Sequence, residues 1–461
     1  SSDLKIGFFI LCYLRFFAKL QLKKNKNCKI IGITGSAGKS STRNAIYSVL
    51  KNKYSVKASF KANSESGISL DILGLEMNDY SILDWLRVLI LAPLRLLTYF
   101  KKFDYYIVEM GIDSPNPPKN MEFLLSIVQP KMAVFLNANL NHSFAFDQLV
   151  TDADPVLRKN KIIKEIAKEK AKLILSLPKT GFAFLNFDDA NVKESCQETK
   201  GLVYSFGSNN SCDLQITKHQ TQLLNQTVKT IFTFQIQNHY GKLPNQNQSL
   251  NIEINNFLLP KHYAYGFAVA ILIGLKAGLD IPEIKSSLEN HLNLPLGRAS
   301  VIKSKNQALI VDSSYNASSM KDMIELMANI SNSTGKKIAL LGDMRELGQA
   351  TQNMHEEIAH LASQVFEQVF LVGKEMQQYA LPILEKELPG NVVYFENSKK
   401  AGMEIAKLLN PGDLILVKGS QNTIFLEEAI KEMMLEEKLA SNLLCRQSSW
   451  WLSVKRQATT K

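Results

Sequence analysis

Residues 29–41, KIIGITGSAGKSS, restrict this chain to few folds, because an apolar run passes through a glycine-rich turn straight into TRNAIYSVL, whose apolar spacing is helical. A strand that ends in Gly35, Ser36, Ala37, Gly38, Lys39, Ser40 and Ser41 leaves successive backbone N–H groups at the mouth of a helix. There they and the helix dipole can hold phosphate oxygens. Lys39 would reach the outer phosphates as a point charge, and Ser40 would offer its hydroxyl to Mg2+. Gly35 and Gly38 would permit backbone geometry that a Cβ obstructs. The strict G-x-x-x-x-G-K-[ST] spacing is not met, since position 33 is Ile and the first glycine is Gly32. The bland alternative is a glycine-rich strand-to-helix turn without a ligand; the order strand, Gly-Lys-Ser, helix weighs against it.

With 461 residues, two or three domains are expected. A formal charge of +11 would ordinarily prompt a search for nucleic acid. Its location argues otherwise: residues 1–29 and 438–461 carry the whole excess, and the body between them is neutral. Basic ends on a neutral body favour an anionic surface or disordered tails over a nucleic-acid groove. The five cysteines are scattered, odd in number and without a C-x-x-C pair, which points to a reducing, cytoplasmic setting without structural zinc. The apolar run at 6–14 is far short of the ~20 residues that span a bilayer, and reads as an interfacial or buried helix. The chain opens at Ser-Ser without Met, so residues upstream of it are an open question.

After the cradle, residues 55–75 read as a strand, a loop and a short helix. Residues 82–100, ILDWLRVLILAPLRLLTYF, are basic and rich in Leu; a core helix broken at Pro93 is the commoner home for such a stretch than a membrane. YYIVEMG (105–111) and KMAVFLN (131–137) read as buried parallel strands ending in polar residues, where the loops of a doubly wound sheet converge. A helix is expected over 158–177 and then the strand of GFAFLNFDD. The alternating segments between 201 and 259 predict antiparallel strands, with the apolar helix of YAYGFAVAILIGLKAGL packed on them. From about 298 the βα alternation restarts and runs to 434. The fold class is therefore α/β.

Glu109, Asn137, His142 and Asp188 fall where strands of the first domain should end. With Lys39 and Ser40 they make a nucleotide and metal site, since Mg2+ takes oxygen ligands and shares them with phosphate. His142 taken alone reads more simply as a loop histidine.

GITGSAGKSS, NSESG, VEMG, the LNANLNH loop, AKEKAKLI, LNFDD, LGRAS, VDSSYNASSMK, LLGDMRELG and LVKGS run in one order from residue 30 to about 430. In that order the chain resembles the Mur ligases, ATP-dependent amide-bond-forming enzymes of peptidoglycan synthesis. DSSYNASSMK and LGDMRELG resemble the branch that adds D-alanyl-D-alanine to a UDP-N-acetylmuramoyl peptide. The resemblance implies a P-loop central ATPase domain with a mostly parallel sheet plus antiparallel strands at 30–296, and a Rossmann-like α/β domain at 297–437. A basic apolar segment, 1–29, and a basic tail, 438–461, would flank them. It implies ATP and two Mg2+ ions as cofactors, a nucleotide-sugar peptide and a dipeptide amine as substrates, and a monomer; the charge distribution argues for no nucleic acid and for peripheral membrane contact through the basic N-terminus.

Carried over by position, Lys39 and Ser40 would bind phosphate and a first Mg2+ with Glu109. His142 resembles the ligand of a second Mg2+, and Lys170 the lysine that the family carbamylates. Arg298 would reach the γ-phosphate as the second domain closes, Asp312 the ribose, and Asn186 and Asp188 the nucleotide. Asn63, Tyr315, Asn316 and His355 would lie at the substrate. The chain departs from the family pattern at Tyr263 and Gly266, where the family has two Asn residues of which one meets adenine, and at Gln421 in place of Arg. Residues 1–29 would stand where the family has its uridine-binding domain. Two rival readings are a nucleotide-binding scaffold that has lost catalysis and a peripheral-membrane binding protein; a ligase with another acceptor or amine is the nearer variant.

Overall fold

The computed structural model describes residues 2–60, 62–78, 81–140, 144–224, 227–237, 248–316, 320–330, 335–345, 347–420 and 423–459. They group into two compact units. The first holds residues 1–218, 232–252 and 262–293; the second holds 219–231, 253–261 and 294–461. The second unit therefore takes two short segments from within the 201–261 region as well as the whole C-terminal part.

A nine-stranded sheet contains β1 (Lys29–Thr34), β2 (Val56–Ala58), β3 (Tyr105–Glu109), β4 (Met132–Phe135), β5 (Phe182–Asn186), β6 (Leu202–Gly207), β7 (Leu214–Leu224), β8 (Thr227–Ile236) and β9 (Ser249–Asn255). Its order is β2-β3-β1-β4-β5-β6-β7-β8-β9. The strands from β2 to β7 pair in parallel. β3 and β4 are buried along their whole length, as strands covered on both faces must be. The register sets Ile33 beside Glu109 and Thr34 beside Phe135, and Phe135 beside Leu185. The ends of β1, β3, β4 and β5 thus share one edge. β8 alternates buried and partly exposed residues, the signature of a strand covered on one face. The Gln237 N–H donates to Asp213 O and Thr217 Oγ1 to Thr233 O, pairings that run β8 against β7.

The helix Lys39–Leu50 starts from Gly38, which sits in the left-handed region at φ +85°. The helix Tyr263–Lys276, expected on the antiparallel strands, packs mainly on this cradle helix and touches β5 and β6. The small residues explain the shift: a Cβ on Gly266 would lie 2.9 Å from Thr42 Oγ1, so glycine permits the approach. The helix Ser2–Lys23 belongs to the first unit and buries Leu14 and Ala18 in its core, against the helices Glu65–Leu73 and Ile82–Thr98. The last of these runs on through Pro93 instead of breaking there. Among the described residues no helix is long and apolar enough to cross a membrane.

The second unit holds a six-stranded sheet of β10 (Ser300–Lys303), β11 (Leu309–Ser313), β12 (Lys337–Gly342), β13 (Gln368–Val372), β14 (Val392–Phe395) and β15 (Leu414–Lys418). The order is β10-β11-β15-β12-β13-β14, parallel except for β10. Apolar clusters cover both faces of the sheet.

Candidate active site

At the end of β1 the chain turns through Gly35 and Gly38, both at positive φ, so that neither position accepts a side chain without strain. The turn is braced by the loop after β4. The Ser36 N–H donates to Asn137 O at 3.0 Å, the Ala37 N–H to Asn137 Oδ1 at 2.9 Å, and Asn137 Nδ2 back to Ala37 O at 3.2 Å. The Asn139 N–H donates to Ser36 Oγ at 3.0 Å. Asn137 is thus the brace of the cradle. Lys39 Nζ donates to Gly35 O at 2.6 Å, and Ser41 Oγ to Gly38 O at 3.0 Å. Burial lowers the Lys39 pKa, while the charges of Glu109 and Asp113 act the other way.

Ser40 Oγ donates to Glu109 Oε2 at 3.1 Å, and Arg43 Nη1 to Glu109 Oε1 at 2.5 Å. The pair of oxygens is the hard donor set that suits Mg2+, an ion that completes its shell with phosphate and water. The cradle and this pair fit a nucleoside triphosphate with its cation. Arg43 follows the cradle motif, but the sequence showed no reason to single it out; its place is fixed by the buried pairing with Glu109 and by its bond to Ser59 O. Asn63 sits at the end of β3, its carbonyl accepting from the Gly111 N–H at 3.3 Å. Among the described residues no group of three or more His, Cys, Asp and Glu could hold a metal. His142 lies outside the described residues.

On the helix Pro155–Leu175, Lys170 is only 3% exposed, whereas Lys168 is 67% and Lys164 54% exposed at their side chains. Lys168 pairs with Glu165, and Lys172 with Glu169, whose other oxygen accepts from the Met121 N–H. Burial, reinforced by the like charge of Lys39, pushes the Lys170 pKa down to about 7. One lysine of the run therefore has access to a neutral amine near neutral pH.

Asn186 Nδ2 donates to Leu136 O, and its Oδ1 accepts from the Asp188 N–H. Asp188 in turn accepts from Ser208 and from Tyr265 Oη at 3.0 Å. Tyr265, one residue before Gly266, was not singled out in the sequence, and neither was Asp189. Asp189 caps the helix Ala190–Ser195 and holds the Ala138 N–H at 2.8 Å, linking the β5 loop to the β4 loop.

The second unit gathers its own polar cluster. Asp312 is fully buried at the end of β11, its Oδ1 accepting from the Ser314 N–H and Oγ, and burial raises its pKa to about 6. The Arg298 guanidinium lies 4.8 Å from the centre of the Tyr315 ring. Asn316 accepts at its carbonyl from Lys418 Nζ, which also donates to Ser313 Oγ. Lys418 is buried, and burial with the nearby Arg298 charge lowers its pKa to about 7. His355, expected at the substrate, is fully buried with both ring nitrogens engaged. Nε2 accepts from the Met344 N–H at 3.0 Å, and Nδ1 donates to Thr351 O at 2.7 Å. It holds the Asp343–Arg345 turn and has no nitrogen left for a ligand.

The tail, for which the sequence offered no role, is built into this unit. Arg446 binds both oxygens of buried Glu427 at 2.7 and 2.6 Å and donates to Ser314 O. Lys455 also pairs with Glu427, at 2.9 Å.

Comparison with known proteins adds to this geometry. Residues 297–421 match the family model described as the Mur ligase glutamate ligase domain. Two curated relatives, from Rickettsia prowazekii and Bacillus subtilis, are each named UDP-N-acetylmuramoyl-tripeptide–D-alanyl-D-alanine ligase and are each 26% identical. The alignments cover 87% of this chain and 77% of the first relative, and 92% and 79% for the second. The crystal structure of MurF ligase from Thermotoga maritima in complex with ADP superposes with a TM-score of 0.65 at 23% identity, over 93% of this chain and 84% of that one. The chain therefore has the fold of the Mur ligases, with a Mur ligase glutamate ligase domain at residues 297–421.

Proposed function

We propose that the chain is an ATP-dependent Mur-type ligase that joins D-alanyl-D-alanine to the peptide carboxylate of a UDP-N-acetylmuramoyl tripeptide, in peptidoglycan synthesis. The observation that carries this reading is the braced cradle at the end of β1, with Ser40 and Glu109 in hydrogen-bond contact beside it. The curated relatives carry that activity in their names.

In this reading a carboxylate oxygen of the tripeptide attacks the γ-phosphorus in line, and the bond to the ADP oxygen breaks. The acyl phosphate formed is then attacked by the amine of the dipeptide. The tetrahedral intermediate expels phosphate, and the amine proton is lost. Carboxylate, phosphoryl group and ADP are all anionic, so cations must lower their mutual repulsion. Lys39 and the cradle N–H groups hold the outer phosphates, and Arg298 supplies positive charge to the transferred phosphoryl group. Ser40 and Glu109 would hold Mg2+, whose chemistry when bound is charge neutralisation at the phosphates. Lys170, reacting as the neutral amine with CO2 and losing a proton, would become a carbamate and with His142 hold a second Mg2+. Asn186, Asp188 and Asp312 would contact the nucleotide, and Asn63, Tyr315 and Asn316 the peptide substrate. We place the enzyme, a monomer in this reading, in the cytoplasm at the inner face of the membrane; the scattered cysteines support the compartment and the basic N-terminal segment the membrane face.

Lys39→Ala tests the cradle directly. Phosphate release dependent on ATP and acceptor should be lost while the thermal unfolding transition stays in place, because a partly exposed cation contributes little packing. Undiminished release would remove the cradle from the reaction.

A further inference from the structure

The helix Ile82–Thr98 buries Asp84, Val88 and Ala92 on one side. On the other side Leu83, Leu86, Ile90, Leu94 and Leu97 are exposed, Leu83 by 77%, Ile90 by 65% and Leu97 by 74%. The spacing of three, four, four and three residues sets these five side chains in a single stripe, because side chains three and four apart share a helix face. Phe100, just beyond the helix, is 69% exposed. An apolar stripe of this length on the outside of a folded unit is unusual and marks a contact surface.

The charge beside it says what the contact is. The helix Ser2–Lys23 runs alongside in the same direction, with Tyr13 Oη donating to Leu89 O and Lys24 Nζ, just past its end, to Leu96 O. Lys24 also lies 5.1 Å from the centre of the Phe100 ring. This brings exposed Lys19, Lys23, Lys24 and Lys26 toward the end of the stripe, where Lys101 and Lys102 are exposed as well. Exposed Asp104 follows Lys101 and Lys102 in the chain, and exposed Glu76 lies toward the start of the helix, its carbonyl accepting from Arg87. Exposed leucines rimmed by lysines match the boundary of an anionic bilayer, apolar below and negatively charged at the headgroups.

We propose that the stripe Leu83, Leu86, Ile90, Leu94 and Leu97, with the lysines at its end, is a docking surface for anionic phospholipid, laying the first unit on the bilayer without crossing it. This rests on the membrane-face placement above and is independent of the ligase chemistry. It differs from contact through the N-terminus alone, because the helix Ile82–Thr98 supplies the leucine stripe, beside which the N-terminal helix exposes Phe9 and Phe16.

Cosedimentation of the full chain with vesicles of mixed phosphatidylglycerol and phosphatidylcholine tests the proposal. The protein should bind these vesicles and not pure phosphatidylcholine, and release as salt rises. Ile90→Ser with Leu94→Ser should weaken binding by about a hundredfold, since each leucine-sized side chain contributes roughly a factor of ten. Lys101→Glu with Lys102→Glu should cost at least about fivefold per lysine at low salt. Both variants change exposed side chains, and their circular dichroism and unfolding transitions should match the parent. Absence of binding to anionic vesicles would overturn the proposal, as would serine variants that bind like the parent. A concentration-dependent dimer abolished by the serine variants, without vesicle binding, would overturn it in favour of a second copy of the chain. Because no ATP or acceptor is present, the result is separate from any failure of the ligase assay.

Discussion

Lys170 and its neighbours show how one position in a helix can differ from residues of the same type beside it. Lys164, Lys168, Lys170 and Lys172 look alike as composition, and a run of lysines is ordinarily a solvated face. In the folded chain Lys164 and Lys168 point to water while Lys170 is enclosed. The burial that lowers its pKa from 10.5 to about 7 disfavours its charged form in the folded state, so the unfolded chain binds more protons between those values. Stability should therefore rise as pH goes from about 7 toward 10.5, and fall as pH drops through that window. Lys418, lowered to about 7 by the same cause, adds to this slope. Denaturant titrations across the window should show a flatter profile for Lys170→Met than for the parent; an unchanged slope would mean that the side chain reaches water. In catalysis, Lys170→Ala should lose most activity and regain part of it with added short carboxylates, while Lys168→Ala stays near the parent. Equal, mild losses would make Lys170 a packing residue. Residues such as Arg43 and Tyr265 were not legible beforehand, because their partners, Glu109 and Asp188, lie 66 and 77 positions away and no local pattern announces such a pairing.

Elements were legible where a period or a turn marks them. The strand and helix around Gly38 follow from an apolar run, glycine at positive φ and a helical repeat, all between residues 29 and 50. The face that a helix with apolar residues on every side buries is a different matter, because those residues do not say which side meets the core. The helix Ile82–Thr98 reads from sequence as a core helix yet exposes a leucine-rich side, and Tyr263–Lys276 reads as a cover on the antiparallel strands yet packs mainly on the cradle helix. Close approaches between helices are read best from glycines. In the second unit the helix Ser398–Leu408 meets Glu427–Met433 so closely that a Cβ on Gly402 would lie 2.4 Å from Ala429 O. Alanine gains about 1 kcal/mol of helix propensity over glycine, whereas overpacking costs roughly 1–3 kcal/mol and backbone is the least able to yield. Gly402→Ala should therefore destabilise the protein by about 1–2 kcal/mol in a urea titration; a stabilised variant would show that the two helices move apart freely.

At the scale of the whole molecule, the alternation of strand-like and helix-like stretches along the chain carried the α/β reading, and the two sheets and their parallel strands match it. What order along the chain could not show is that segments 219–231 and 253–261 group with the C-terminal unit, since grouping depends on contacts and not on sequence neighbours. Nor could it show the tail closing over Ser314 through Arg446 and Glu427, because these partners lie far apart in the chain and no local pattern pairs them. The central claim concerns the joint action of these parts: coupling ATP cleavage to one amide bond. It is tested by incubating the purified chain with ATP, Mg2+, UDP-N-acetylmuramoyl tripeptide and D-alanyl-D-alanine, with each component left out in turn, while ADP and product mass are followed together. The account predicts a product heavier by one dehydrated dipeptide, one ADP formed per amide, and neither in the absence of any component. ADP formed at the same rate without acceptor and amine, or no amide product when all are present, would contradict it.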